Sequence, residues 1–311
     1  MLRLVEVDRP IPQAGEVLVR HTAIGLNYID VYLRMGTYKQ QTPFIPGREA
    51  AGVVEALGAG VTDFAPGDHV AYCETPHLGA YAEYNAVPSG ELVKLPDGID
   101  DRTGCAAMLQ GVTAHYLSHS TYPIAAGDTV LVHAAAGGVG LLLTQLAKAR
   151  GATVIATVGS AAKAELATGA GADHVINYTT TDFAPEVKRL TANVGVAAAY
   201  DSVGIDTWER SMSVLRPRGS LVLFGAASGP VPPIDPQRLS AAGSLFLTRP
   251  TLTHYKLTPA ELRQRAHDLF TMILAQKLAV RIGHTYALAD ATQAHIDLEA
   301  RKTTGKVLLI P

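Results

Sequence analysis

Only two cysteines, Cys73 and Cys105, occur in 311 residues. That is too few for a disulfide framework or a multi-cysteine zinc site, and it suits a reducing compartment. Charge is sparse as well: Asp, Glu, Lys and Arg make up 17% of the chain, and 28 acidic against 26 basic residues leave a net charge of −2. Such a balance gives no electrostatic footprint for nucleic acid or for an anionic membrane. No apolar run approaches the ~20 residues of a membrane span. Glu6 interrupts the opening residues, a pattern unlike a secretory signal. With 48% hydrophobic residues and a mean hydropathy of +0.15, the composition is not that of a disordered chain. The length exceeds what one core ordinarily holds. The expectation is a soluble, cytoplasmic protein with two domains or one large one.

The first hundred residues read as short strands and turns. Residues 15–21 are rich in β-formers, 51–56 lead into a turn at Gly58 and Gly60, and Pro66-Gly67-Asp68 precedes another apolar run at 69–72. Residues 79–84 alternate beyond it. This spacing predicts a small, irregular barrel. The texture changes after Pro96-Asp97-Gly98. Strands are expected at 129–134, 153–158, 174–178, 197–201, 220–225 and 244–249, with helices at 138–150, 161–169, 182–191 and 206–215. Six strands with crossover helices fit a doubly wound parallel sheet. A further helix is expected over 258–277, opened by Thr258-Pro259 with Glu261 in its first turn, and the tail 305–311 reads as one more strand.

The strongest chemical signal is the run from Val130 to Gly140, followed by a Leu- and Ala-rich helix. Small residues in such a turn let the backbone approach a pyrophosphate, and the helix N-terminus stabilises its charge. Against the pattern G-x-G-x-x-G, Ala135 stands in the first place while Gly137 and Gly140 hold the other two. The strand before and the helix after make the match specific. The candidate cradle is Ala136, Gly137, Gly138, Val139 and Gly140. At the end of the second strand an NAD site usually carries a carboxylate. Here Gly159 and Ser160 are followed by Lys163, with no acid before Glu165. Ser160 can hydrogen-bond a 2′-phosphate and Lys163 can neutralise it, so the expected cofactor is NADPH. A plain exposed lysine is the alternative for Lys163.

Beyond these motifs, 23–30 (Ala-Ile-Gly-Leu-Asn-Tyr-Ile-Asp), 46–52 (Pro-Gly-Arg-Glu-Ala-Ala-Gly), 200–204 (Tyr-Asp-Ser-Val-Gly) and 247–250 (Leu-Thr-Arg-Pro) complete a pattern spread over nearly the whole chain. It resembles the zinc-independent quinone oxidoreductases, the zeta-crystallin-like branch of the medium-chain dehydrogenases/reductases. The resemblance implies an α/β fold: a doubly wound Rossmann domain over 113–255 and a mainly β, GroES-like catalytic domain over 1–112 and 256–311. Zinc-dependent relatives carry Gly-His-Glu where this chain has Gly47-Arg48-Glu49, and an arginine is not a zinc ligand. His115 and His119 have helical spacing but no third ligand, so no metal is expected. The family usually has a further segment before the match to residues 2–7, which leads to the expectation of an unpaired barrel edge there.

The resemblance also implies site residues. Lys163 and Tyr178 match the adenine side, with Arg301 joining them at the 2′-phosphate. Asn27, Tyr32 and Thr113 match nicotinamide and ribose positions, and Phe224, Gly225, Leu247, Thr248 and Arg249 fall at strand ends beside the nicotinamide. Asn27 and Arg249 are expected to fix the cofactor or donate to substrate, with Tyr32 and Tyr38 lining the cleft. Packing for the tyrosines, a helix cap for Thr113 and a surface charge for Arg301 are the plain alternatives. The expected activity is reduction of quinones by NADPH, through one or two electrons. Reduction of activated C=C bonds in enones or alkenals is the alternative on the same scaffold, and a non-catalytic NADPH- or RNA-binding, crystallin-like role is the third. Nucleic acid is disfavoured by the charge balance. The apolar sixth strand at 244–248, read with the resemblance, implies a homodimer through the edge of the Rossmann sheet.

Overall fold

The structure is a computed structural model and describes residues 2–311. Residues 2–14 join no strand, and Leu4, Val5, Val7 and Ile11 are exposed. The ordered elements begin with β1 (Glu16–Leu26), α1 (Tyr28–Arg34), β2 (Glu49–Leu57), β3 (His69–Cys73), β4 (Tyr84–Pro88), β5 (Leu92–Lys94) and α2 (Asp101–Tyr116). The second stretch comprises β6 (Thr129–Val132), α3 (Gly138–Ala149), β7 (Thr153–Val158), α4 (Ala161–Gly169), β8 (His174–Asn177), α5 (Phe183–Leu190), β9 (Val196–Asp201), α6 (Trp208–Ser213), β10 (Leu215–Leu223), α7 (Gln237–Ala241) and β11 (Phe246–Thr248). The chain closes with α8 (Pro259–Leu274), β12 (Ile282–Ala287), α9 (Ala291–Glu299) and β13 (Lys306–Ile310). Two compact units result, one of residues up to Val112 together with Tyr255–Pro311, the other Thr113–His254.

In the first unit β1 is the organising strand of a seven-stranded sheet ordered β12-β13-β1-β2-β3-β5, with β4 also on β1. Its first half pairs antiparallel with β4 from Glu16 to Arg20, and its last three residues pair with β13. The change of partner falls where the β1–β2 register shifts between His21 and Ala23, and a bulge of this kind turns a strand from one neighbour to another. The core beneath contains Val17, Val19, Ile24, Leu26, Tyr72, Leu92 and Leu309, all essentially without exposed surface. The alternating run 79–84 is not itself a strand: β4 begins only at Tyr84, after Gly79 at φ +127° and a series of bends.

The second unit holds a six-stranded sheet in the order β11-β10-β9-β6-β7-β8, and every pairing in it is parallel. Relabelled from its first strand this is 6-5-4-1-2-3, the doubly wound order, with its switch point between β6 and β9. Thr129–Val132 and Val196–Asp201 are buried almost throughout, as strands covered on both faces must be. The helix expected up to residue 215 stops at Ser213. Arg216-Pro217-Arg218-Gly219 follows, with Arg218 at φ +61°, and β10 carries a register shift between Leu215 and Ser220.

One buried acid in the first unit bears on stability. Asp30 has no exposed surface; its Oδ2 accepts the Asn27 backbone N–H at 2.9 Å and the Tyr81 hydroxyl at 3.2 Å. Because Tyr81 Oη donates to Asp30, it accepts from Nε2–H of buried His295 at 3.0 Å, which fixes that tautomer. Burial raises Asp30 from 3.8 to about 7, against the opposing pull of the Asn27 N–H and the Lys306 charge. A carboxyl whose folded-state pKa is raised contributes stability that is full below its unfolded value of 3.8 and is lost as the pH climbs through about 7. Asp30→Asn keeps both acceptor contacts and does not titrate. Its melting temperature relative to wild type is therefore expected to rise by about 2–4 °C between pH 5 and pH 8; a pH-independent difference in thermal scans would show that Asp30 does not carry this titration.

Candidate active site

In the second unit β6 runs into the turn at Ala134, which sits at φ +50°, and α3 starts after Gly137. A Cβ on Gly140 would lie 2.4 Å from the Ala134 carbonyl oxygen and 2.7 Å from Ala135 Cα, so backbone meets backbone and only glycine fits. The first N–H groups of a helix have no partner within it. Here they belong to Gly138, Val139 and Gly140, at the carboxyl ends of the central strands, where an anionic cofactor can use them.

A buried polar chain holds those strand ends in place. His133 Nδ1 meets Thr157 Oγ1 at 2.8 Å and Nε2 meets Ser211 Oγ at 2.9 Å, while Ser211 donates to Asp201 Oδ2 at 2.8 Å. Since Ser211 spends its proton on Asp201, Nε2 of His133 carries the ring proton and Nδ1 accepts from Thr157. Burial keeps His133 neutral by lowering its pKa, partly opposed by Asp201. Asp201 Oδ1 takes the N–H groups of Val203 and Gly204 and the Thr207 hydroxyl. The serine lies between histidine and acid and is fully buried. The set is a brace across β6, β7 and β9, and it is not a nucleophile with its base.

At the ends of β7 and β8 the structure brings together Gly159, Ser160, Lys163 and Tyr178. Ser160 caps α4 by accepting the Lys163 N–H at 3.3 Å, and its own O–H is left to donate. Tyr178, 42% exposed, lies so close over Gly159 that a Cβ there would be 2.5 Å from its hydroxyl. Among β10 and β11 residues, Phe224 continues from β10 with its N–H on the Asp201 carbonyl, and a Cβ on Gly225 would be 2.5 Å from the Ser202 carbonyl oxygen. Leu247 and Thr248 are half-buried in β11, and Arg249 reaches the Pro250 carbonyl from an exposed position. Thr113 is buried on α2.

In the first unit Tyr28, Tyr32 and Tyr38 form a row, with ring centroids 5.2 Å and 5.5 Å apart in turn and Tyr38 40% exposed at its end. Arg301 stands at φ +59° after α9, where its charge acts on Tyr28. Asn27 is only 4% exposed and sits in a cluster that sequence reasoning missed. Its Nδ2 donates to Glu49 Oε2 at 2.7 Å and to the Gly25 carbonyl at 3.3 Å; its Oδ1 accepts from Lys306 Nζ at 3.0 Å and Gln110 Nε2 at 3.3 Å. Lys306 also donates directly to Glu49, and Glu49 Oε1 takes the Leu109 N–H at 2.6 Å. Lys306 is a lone charge in an otherwise apolar strand. A buried lysine needs an anion, and that was the available signal. Arg48 pairs with Glu74. Among the described residues no three His, Cys, Asp or Glu side chains converge as a metal site would require, and no helix is long and apolar enough to cross a membrane.

The comparisons with known proteins cover the same ground. The family described as "Alcohol dehydrogenase GroES-like domain" matches residues 13–97, and "Zinc-binding dehydrogenase" matches 138–270. A Pseudomonas aeruginosa protein named quinone oxidoreductase is 48% identical over 96% of this chain and 92% of its own length. A 2-haloacrylate reductase from Burkholderia sp. is 42% identical over 98% of this chain and 94% of its own. A mycobacterial protein solved in complex with NADPH superimposes with a TM-score of 0.96 at 50% identity, over 99% of this chain and 95% of that one. With a GroES-like unit and a doubly wound unit each matched at its own residues, the chain belongs to the quinone oxidoreductase group of the medium-chain dehydrogenase/reductase family.

Proposed function

We propose that this protein reduces quinones at the expense of NADPH. The observation that carries the reading is the junction at the carboxyl ends of β6, β7 and β8. A glycine-only turn opens α3 there, and the end of β7 offers a hydroxyl and an ammonium with no carboxylate before Glu165. The cradle fits a pyrophosphate because any side chain at Gly140 would push the turn and the helix apart, and Gly159 leaves the same kind of room beside Tyr178. Gly137, Gly138, Val139 and Gly140 would hold the pyrophosphate with Ala136 beside them. Ser160, Lys163 and Tyr178 would hold the adenosine 2′-phosphate, and Arg301 is assigned to the same phosphate. Thr113, Phe224, Gly225, Leu247 and Thr248 are assigned to the nicotinamide ribose and ring.

NADPH, when bound, supplies a hydride from its nicotinamide. The chain's own part is to orient that ring, keep water from it and offer protons at the acceptor's oxygens. Tyr38 and Arg249, both exposed and both carrying donors, are assigned to those oxygens, with Tyr32 setting the Tyr38 ring edge-on. Asn27 has every hydrogen-bonding position engaged within its own unit, so its part is to fix geometry beside the ring. The same geometry delivers hydride to the β-carbon of an activated alkene, and the similarity to the haloacrylate reductase favours testing that acceptor class. We further assign the protein to the cytoplasm, where its two buried free thiols stay reduced. Two copies would pair through β11, the edge strand, whose Phe246 is 63% exposed.

Three outcomes test this reading. NADPH oxidation with benzoquinone, naphthoquinone and short enones should be fastest with the quinones, and a panel in which only the enones turn over would shift the assignment to alkene reduction. Lys163→Ala should raise KM for NADPH by roughly 10-fold or more while leaving KM for NADH within about twofold, since a charge-assisted contact contributes about 1.5–3 kcal/mol. Equal effects on both cofactors would remove Lys163 from the phosphate. Phe246→Lys should convert a sedimenting dimer to monomer; an unchanged sedimentation coefficient would move the interface elsewhere.

A further inference from the structure

We propose that Glu49 and Lys306 are positioning residues for hydride transfer, acting by fixing which way round the Asn27 carboxamide sits. The proposal rests on the NADPH–quinone reading and deepens its account of Asn27. An amide is nearly symmetric in shape and opposite in polarity at its two ends. A carboxylate only accepts hydrogen bonds and an ammonium only donates. Nδ2 is therefore held toward Glu49 and Oδ1 toward Lys306. Turning the amide over would set oxygen against carboxylate and N–H against ammonium. The Gly25 carbonyl, at 3.3 Å from Nδ2, selects the same orientation without a charge, and neighbours able both to donate and to accept would impose none.

The polarity is passed one residue further. With Oδ1 of Asn27 facing it, Gln110 must present Nε2 there, at 3.3 Å, which leaves its Oε1 pointing elsewhere as an acceptor with no partner. The room for this cluster is made by Gly25 of β1. A Cβ at that position would lie 2.0 Å from Glu49 Oε2 and 2.8 Å from Lys306 Nζ. Side chains from β2 and β13, a backbone N–H from α2 and the first residue before α1 all meet there, so the amide at the head of α1 is tied to three other elements. Burying an ion pair whose partners are 0% and 1% exposed is a poor way to gain stability, since apolar residues of like volume commonly serve as well or better. What the charged pair adds is orientation of the Asn27 amide from both of its ends, since the Gly25 carbonyl holds only the Nδ2 end.

Four variants of the full-length enzyme test this: Asn27→Ala, the double Glu49→Gln/Lys306→Met, their triple combination, and Glu49→Asp, which keeps the charge and shortens the reach. Melting temperature, NADPH dissociation constant, quinone KM and kcat, and the primary isotope effect on kcat with NADPH deuterated at the transferred position are the readouts. The double variant should melt within a few degrees of wild type and bind NADPH within about threefold. Its kcat should fall about 10-fold, with a larger isotope effect because hydride transfer becomes rate-limiting. The triple variant should be no slower than Asn27→Ala, since residues acting through one another are not additive. Glu49→Asp should show the same isotope signature and keeps the test open if the double variant fails to fold. Multiplicative losses in the triple variant would overturn the proposal. So would wild-type kcat in Asn27→Ala or Glu49→Asp, or a lower kcat with an unchanged isotope effect, which marks a smaller active fraction. Wild-type turnover in the same assay tests the parent reading: its absence overturns both, whereas full turnover with additive losses overturns the positioning role alone.

Discussion

The approach of α3 to the turn before it is the constraint on which the rest of the second unit depends. Gly140 must come within contact distance of Ala134 and Ala135 for the helix to start where β6 ends. Once it does, three N–H groups and the positive end of the helix dipole face the carboxyl ends of the sheet. The His133–Ser211–Asp201 chain, with Thr157, secures this from below by tying β6 to β7 and β9, so that the turn cannot drift relative to Ser160. Side chains at that surface vary in kind. The amide cradle needs only small residues and a rigid floor.

The parallel sheet was legible because its strands are continuous apolar runs separated by helices of ordinary length, and the glycine turn because its residues are adjacent in sequence. The placement of Ser160 and Lys163 after β7 and of Tyr178 after β8 follows from the strand ends themselves. The helix α2 was not foreseen. It contains Gly104, Gly111 and two threonines, all poor helix formers, and tertiary packing decides it: a Cβ on Gly104 would collide with Leu95. The run 79–84 misled in the opposite direction, since its alternation lacks a ladder partner until Tyr84. Glu49 and Lys306 stayed hidden for a simpler reason. They are 257 residues apart, and only the pairing of β1 with both β2 and β13 brings them to one point.

The two units are organised by opposite means. In the second, backbone donors stand at a helix start, and they and Lys163 are the groups assigned above to the phosphates. In the first, commitment is close to complete: the Asn27 amide has four partners, Glu49 has three donors, and Arg48 and Glu74 neutralise each other. An open set of donors recruits an anion with little regard to its detailed shape. A closed set recruits nothing and holds geometry instead.

That division fits the chemistry assigned to each side. Binding a pyrophosphate is an electrostatic task that tolerates some play, because charge attraction varies slowly with distance. Hydride transfer falls off steeply when the reacting carbon is displaced by even an ångström, and it is served by groups that cannot turn. Glu49 and Glu74 are each matched by a cation of the chain itself, Lys306 and Arg48 respectively. The Glu49–Lys306 pair therefore acts on the neighbouring Asn27 amide. Arg48, at the position where the resemblance puts a histidine in zinc-dependent relatives, is engaged with Glu74, while Glu49 and Asn27 are held by Lys306, Gly25, Leu109 and Gln110.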